Sequence, residues 1–242
     1  MSSELRNKVA QHYNRYPYPS YPLYALGSWK NLDAVDLSRW PLSFLAKEVW
    51  LAGCGTIQPL MFARRNPHAR FLATDISTSS LWRARWRCWL WGFHNVSFRF
   101  GDICEADFEN RFDAIDAFGV LHHLNSPELG LSKIYRALKP GGVLRFMLYS
   151  EKAREEIEAL RKKVRESEIS DMKGLRRFLK HYPELRWLPT AELADAYLHP
   201  QVTTFSRTAI ERLFHPSKGW DIIRLEQPSH YVGFARRLGE TP

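Results

Sequence analysis

The chain has 242 residues, 45% of them hydrophobic, and a formal net charge of +9 from 35 basic and 26 acidic side chains. This length and composition fit one large α/β domain or two small ones and exclude an intrinsically disordered chain. Cys54, Cys88 and Cys104 form no CxxC pair, which argues against a disulfide framework or a structural zinc and fits a reducing, cytoplasmic setting.

Residues 1–46 come first. MSSELRNKVAQHY has no apolar core of a signal peptide, and no stretch of the chain reaches eighteen uninterrupted apolar residues, so neither a signal peptide nor a transmembrane helix is expected. A helix is predicted over Glu4–Tyr13. The following YNRYPYPSYPLY cannot continue it, because Pro17, Pro19 and Pro22 impose extended backbone. Its aromatics need a surface to pack on, so residues 1–46 read as an arm or lid, with Tyr13, Tyr16 and Tyr18 as covering residues.

From residue 47 onward, strands and helices alternate. Strands are predicted at Val49–Ala52, Arg70–Thr74, Val96–Phe100, Asp113–Phe118 and Val143–Tyr149, with helices at Pro59–Arg65, Ser79–Trp91 and Pro127–Leu138. Such alternation implies right-handed crossovers and a parallel sheet covered on both faces. Lys139-Pro140-Gly141-Gly142 reads as the turn between a helix and the next strand. A charged helical stretch over 151–182 opens an insertion that runs to about residue 206. A helix at Thr208–Phe214 and strands at Trp220–Glu226 and His230–Arg236 close the chain. The insertion, 151–206, is expected above the sheet edge where ligands bind.

The helix between the second and third strands carries an unusual face. Leu81, Ala84, Arg85 and Cys88 share one side, while Trp82, Trp86, Trp89 and Phe93 form a second stripe, with Arg83 and Arg87 beyond it. The stripe is expected to pack on the N-terminal arm or a neighbouring helix. Its other reading is a contact surface for a protein partner, a second subunit or a membrane interface.

In an open parallel sheet, ligands bind outside the carboxyl ends of the strands. The first strand ends at Gly53-Cys54-Gly55, where glycine permits a tight turn and close approach of backbone to ligand. Asp75 ends the second strand, positioned to accept both hydroxyls of a ribose, and Asp102 follows the third, positioned to accept from an adenine amino group. A nicotinamide fold wants Gly-x-Gly-x-x-Gly, but the sixth position is Gln58.

VWLAGCGTIQ, FLATDIS, RFGDI, AFGVLHHL and LKPGG, in that order, resemble the class I S-adenosylmethionine-dependent methyltransferases over residues 45–150. AGCGTIQ, GVLHHL, LYSEKAR and AYLHPQVTTFSR are similar to a bacterial group of these enzymes often fused behind tetratricopeptide repeats, although no repeat is present here. The resemblance implies a Rossmann-like three-layer α/β sandwich with a seven-stranded, mostly parallel sheet, spanning residues 47–242. It implies S-adenosyl-L-methionine as cofactor, surrounded by Gly53, Cys54, Gly55, Gln58, Asp75, Ile76, Asp102, Ile103, Phe118 and Gly119. Two positions depart from the pattern: Leu51 stands where an acidic residue is common, and Ile57 where a third glycine is.

Methyl transfer depends chiefly on holding nucleophile and methyl in line, with a base needed only when the acceptor carries a proton. His122 and His123 are the candidate bases, and otherwise fix the loop. Tyr149, Tyr197 and His199 are candidates for lining the acceptor pocket. The histidines show no metal spacing, so no metal is expected. A small-molecule acceptor leads. RNA or protein is the alternative that the positive charge encourages, and a non-catalytic cofactor-binding module is the one that Leu51 and Ile57 keep open.

Overall fold

The computed structural model describes residues 3–25, 32–227 and 229–239. Residues 1–2 and 26–31 of the expected N-terminal arm lie outside them. In chain order the elements are α1 (Ser3–Arg15), β1 (Glu48–Ala52), α2 (Gln58–Arg65), β2 (Arg70–Asp75), α3 (Thr78–Leu90), β3 (Val96–Phe100), β4 (Phe112–Phe118), α4 (Pro127–Ala137), β5 (Leu138–Leu148), α5 (Glu151–Glu166), α6 (Met172–Phe178), α7 (Thr190–Leu193), α8 (Arg207–Leu213), β6 (Trp220–Glu226) and β7 (Tyr231–Arg237).

The seven strands form one sheet in the order β3-β2-β1-β4-β5-β7-β6. The first five are parallel, and β7 runs antiparallel to both β5 and β6. This is the expected Rossmann-like α/β fold. Alternate residues of β1 enter different cores, Val49 and Leu51 on one face and Trp50 and Ala52 on the other, as a parallel sheet buried on both sides requires. Strand order reverses between β1 and β4, so the crevice at their carboxyl ends is the place for a ligand.

The sequence misplaced three local features. Lys139–Gly142 is not simply a turn: β5 begins at Leu138, paired with Phe112, and resumes regular register at Val143 after a bulge containing Gly141 at φ +78°. The charged stretch 151–182 is two helices rather than one, because Asp171 starts α6 by accepting the Gly174 N–H. On α3, Arg85 is exposed, and Arg87, assigned to the outer side, is fully buried.

Burying Arg87 has a structural use. Its guanidinium donates to the carbonyl of Thr56 at 2.7 Å, of Tyr21 at 2.6 Å and of Pro22 at 3.1 Å. Thr56 donates its hydroxyl to the Pro19 carbonyl at 2.5 Å. Asn14, near the end of α1, accepts the Ser79 N–H at 3.0 Å. The proline-rich segment is thereby fastened over the glycine turn. Helices α5, α6 and α7 enclose a small apolar core of their own around Leu160, Val164, Leu175 and Leu193.

Candidate functional site

A cavity of about 420 Å³ lies at the carboxyl ends of β1–β5, within the range of about 300–1,000 Å³ for small-molecule sites. Gly53, Cys54, Gly55, Gln58, Asp75, Ile76, Asp102, Ile103, Phe118 and Gly119 all line it, and so do Tyr13, Tyr18, Tyr149 and His123. His122, Tyr16, Tyr197 and His199 do not. Strand order fixes the sequence along the cleft: Asp102 after β3, then Asp75, the glycine turn, Phe118, and Tyr149 after β5.

The glycine turn needs its glycines. Gly53 and Gly55 have φ of +67° and +57°, a region closed to most side chains. A Cβ on Gly53 would collide with the Val120 side chain, and one on Gly55 would meet the Tyr18 carbonyl oxygen at 2.9 Å. Ile57 stands at φ −131°, so its backbone imposes no need for the glycine usual there. Its side chain is buried at the cavity wall.

Asp75 shapes this turn. Its carboxylate accepts the Gly55 N–H at 2.9 Å on one oxygen and the Ser77 N–H at 2.8 Å on the other. A carboxylate offers about four lone-pair sites, so acceptor capacity for hydroxyls remains. Burial raises its pKa, and the backbone donors offset part of the rise. Asp102 accepts the Cys104 N–H on Oδ1 at 2.8 Å and presents its carboxyl to the cavity.

Leu51 is fully buried in the core and does not reach the cavity. The same cross-strand row continues through Asp116 on β4 to Arg145 on β5. Arg145 Nε donates to Asp116 Oδ1 at 2.6 Å and Nη1 to the Ala34 carbonyl at 2.7 Å. Its guanidinium lies 4.6 Å from the Phe118 ring centroid. Burial raises the Asp116 carboxyl, and Arg145 offsets part of that rise. Arg145 is the only Lys or Arg lining the cavity among the described residues. The sequence missed it because nothing in LKPGGVLRFML marks which face of a strand a lone arginine occupies.

The opposite end is built around Asp195, also missed. Tyr13 donates to its Oδ1 at 2.9 Å and Tyr149 to its Oδ2 at 3.0 Å. Burial first, then the Asp195 charge, pushes both phenols well above their ordinary pKa, so both remain donors. The sequence singled out Tyr197 and His199 instead. Residues two apart on a helical turn point to opposite sides: Asp195 faces the cavity, and Tyr197 packs into the small core between α5 and α7.

His123 and His199 meet at 3.9 Å between centroids with their planes inclined at 35°, and His12 lies 4.8 Å from His199. Backbone partners fix two tautomers. A carbonyl can only accept, so His123 Nδ1 carries the proton given to Gln201 O at 2.9 Å, and its Nε2 keeps a lone pair 3.7 Å from Asp195 Oδ1. The Gln201 N–H donates to His199 Nδ1 at 3.1 Å, so the proton of neutral His199 sits on Nε2. His123, Asp195 and His199 bring possible ligand atoms within 4.8 Å of one another, a proximity that sequence spacing concealed. A metal there would have to displace the His199 Nε2 proton while the Gln201 N–H keeps Nδ1 occupied.

Burial depresses the pKa of His122, His123 and His199, and that of His12 to about 4. An imidazole depressed on folding contributes stability above its unfolded pKa, near 6.5, and loses that contribution as pH falls towards the folded value. The melting temperature should therefore be level from pH 8 to 7 and fall steadily from about 6.5 to about 4. Scanning calorimetry across that range checks this, and a constant value between pH 7 and 5 would contradict the buried-neutral assignment.

Residues 51–144 match the family model described as a methyltransferase domain. An uncharacterized protein of Synechococcus sp. is 28% identical over 88% of this chain, and the chain spans 58% of that relative's length. Among solved structures, the chain resembles one from work on the conversion of a disulfide bond into a thioacetal group during echinomycin biosynthesis. The TM-score there is 0.61 at 18% identity, covering 96% of this chain and 92% of that one. It also resembles the 1,6-didemethyltoxoflavin-N1-methyltransferase of Burkholderia thailandensis, solved with 1,6-didemethyltoxoflavin and S-adenosylhomocysteine. That TM-score is 0.55 at 17% identity, covering 87% and 78%. The matched segment runs from β1 to β5 of this fold. No helix among the described residues is long and apolar enough to cross a membrane.

Proposed function

We propose that this chain transfers the methyl group of S-adenosylmethionine to a small-molecule acceptor inside the cleft lined on one side by Val9, Tyr13, Tyr18, Pro19 and Tyr21. One observation carries the reading. A single cavity joins the glycine turn, Asp75 and Asp102 to the group Tyr13, Tyr149, Asp195 and His123.

The residues present fit the cofactor. Asp75 has lone pairs left for the ribose hydroxyls, and Asp102 accepts at the adenine end. Gly53, Cys54 and Gly55 bring backbone close to the methionine tail. Arg145 supplies the cation for its carboxylate, and Asp116 behind it replaces, one strand over, the negative charge absent at Leu51. Gln58 and Ile57 complete that wall. When bound, the cofactor supplies an electrophilic methyl on a sulfonium; the protein's task is to hold an acceptor against it.

Tyr13 and Tyr149 orient the acceptor from Asp195. His123 Nε2 accepts its proton, and the Asp195 carboxylate stabilises the imidazolium that results. His122 lies behind His123, stacked on Tyr149 at 3.7 Å between centroids, and supports the loop rather than reaching the acceptor. Tyr18 and the fastened proline segment narrow the entrance, which favours a small acceptor over RNA or a protein chain.

Titration calorimetry with S-adenosylhomocysteine tests the first half: micromolar binding is expected, and its absence sinks the reading. Labelled cofactor incubated with fractionated cell extract tests the second, since label in macromolecules alone rejects a small acceptor. Asp195→Asn should lower turnover of the acceptor so found by about 10²–10⁴, with S-adenosylhomocysteine affinity within about threefold of the parent. Equal losses in both would make Asp195 part of the cofactor site instead.

A further inference from the structure

We propose that the tryptophan stripe of α3 docks this protein onto an anionic phospholipid bilayer. The sequence predicts a stripe covered from within the chain; Phe93 packs against the core, but the three tryptophans stand exposed among the described residues. Trp82, Trp86 and Trp89 are 57%, 39% and 62% exposed, Leu90 and Trp91 next to them in sequence are exposed as well, and so is Phe100 at the end of β3. The other side of the helix is committed to the core through Leu81, Ala84 and Cys88, so α3 presents a fixed, convex, aromatic face. It flanks β3, the edge strand of the sheet.

Charge chooses the occupant. Between Asp75 and Asp102 the sequence contains no carboxylate and four arginines, Arg83, Arg85, Arg87 and Arg99. Arg87 is spent inside the protein on three carbonyls. Arg85 and Arg99 are exposed and Arg83 is half-buried. Indoles favour the depth of the lipid headgroups, and guanidinium groups beside them pair with phosphates.

A second copy of the chain fits less well. A two-fold contact through this face would set its arginines against one another, with no carboxylate in the segment to answer them. RNA fits less well too. Trp82 and Trp86 lie parallel at 6.1 Å between centroids, and Trp86 and Trp89 meet at 4.7 Å. Their ring faces are turned towards one another, and a convex helix offers no channel for a strand.

Flotation with vesicles of phosphatidylcholine alone and of an equal mixture with phosphatidylglycerol tests the proposal. The full chain should float with the mixture, with a blue shift of tryptophan emission, and stay behind with phosphatidylcholine alone. Raising salt should weaken the association. Arg83→Glu with Arg85→Glu should weaken it about tenfold or more. Trp82→Ser, Trp86→Ser and Trp89→Ser together should abolish the emission shift while S-adenosylhomocysteine binding persists. If the tryptophan variant does not fold, the arginine variant decides alone. Equal binding to both vesicles, or binding to neither, overturns the proposal. So does vesicle binding that survives both variants. A self-association by light scattering, or retention of a uridine oligonucleotide, that the tryptophan variant loses in the absence of vesicle binding would assign the stripe to a second copy or to RNA and overturn it equally.

Discussion

Arg145→Met should lower stability by about 3–5 kcal/mol, because it leaves the Asp116 carboxylate buried without its partner. For a chain of this size that is a fall on the order of 10 °C in melting temperature. Asp116 is fully buried, Arg145 nearly so, and their side chains meet at 2.6 Å across adjacent strands. The guanidinium also holds the Ala34 carbonyl and lies 5.5 Å from the ring centroids of Trp40 and Phe62. Methionine can replace much of that packing and none of the charge. Asp116→Leu added to Arg145→Met should therefore restore most of the lost stability, since a buried pair replaced by apolar groups is often neutral. The double variant should still bind S-adenosylhomocysteine poorly, because no other Lys or Arg lines the cavity among the described residues. Urea denaturation and calorimetry on the three proteins separate these effects. A double variant as unstable as the single would show that the cost lies in packing rather than in the stranded charge.

Asp75→Ala should weaken S-adenosylhomocysteine binding by about 10²–10⁴. The carboxylate has two tasks here. It holds the Gly55 and Ser77 N–H groups, and so the shape of the glycine turn, and in our reading it accepts the ribose hydroxyls. Hydrogen bonds to a charged group contribute about 1.5–3 kcal/mol each, so losing two to the ligand removes about 3–6 kcal/mol, and each 1.4 kcal/mol is about tenfold in affinity. Asp75→Asn is the informative companion. An amide can accept on one side only, so it should recover part of the affinity. Binding within about threefold of the parent in Asp75→Ala would remove Asp75 from the cofactor site.

Much of the fold and one half of the site were legible in the chain itself, for a local reason. A parallel sheet gathers the carboxyl ends of its strands along one edge, so residues that end successive strands become neighbours whatever lies between them. Gly53, Gly55, Asp75, Asp102 and Phe118 each sit at or just beyond the end of a strand that its own apolar run announces. Reading the strands therefore amounted to reading that wall of the cavity. The alternation announced the parallel strands, and the family resemblance the count of seven; the order β3-β2-β1-β4-β5-β7-β6 is read from the structure.

The other half was decided by contacts with no local signature. Tyr13 meets Asp195 across 182 residues, Arg145 meets the Ala34 carbonyl across 111, and Arg87 reaches back 66 residues to Tyr21. A tyrosine, an aspartate or an arginine has the same appearance in a sequence whether it faces solvent or a ligand. Which side of a helical turn or strand it occupies depends on how helices and arm pack onto the sheet. That packing turned Asp195 inward and Tyr197 away, took Arg87 into the interior, and left Trp82, Trp86 and Trp89 in the open. The sequence by itself determined a fold with a glycine turn and two carboxylates at its edge. Only the tertiary structure decided what closes over that edge and what stands opposite it, because burial and pairing are properties of the packed chain.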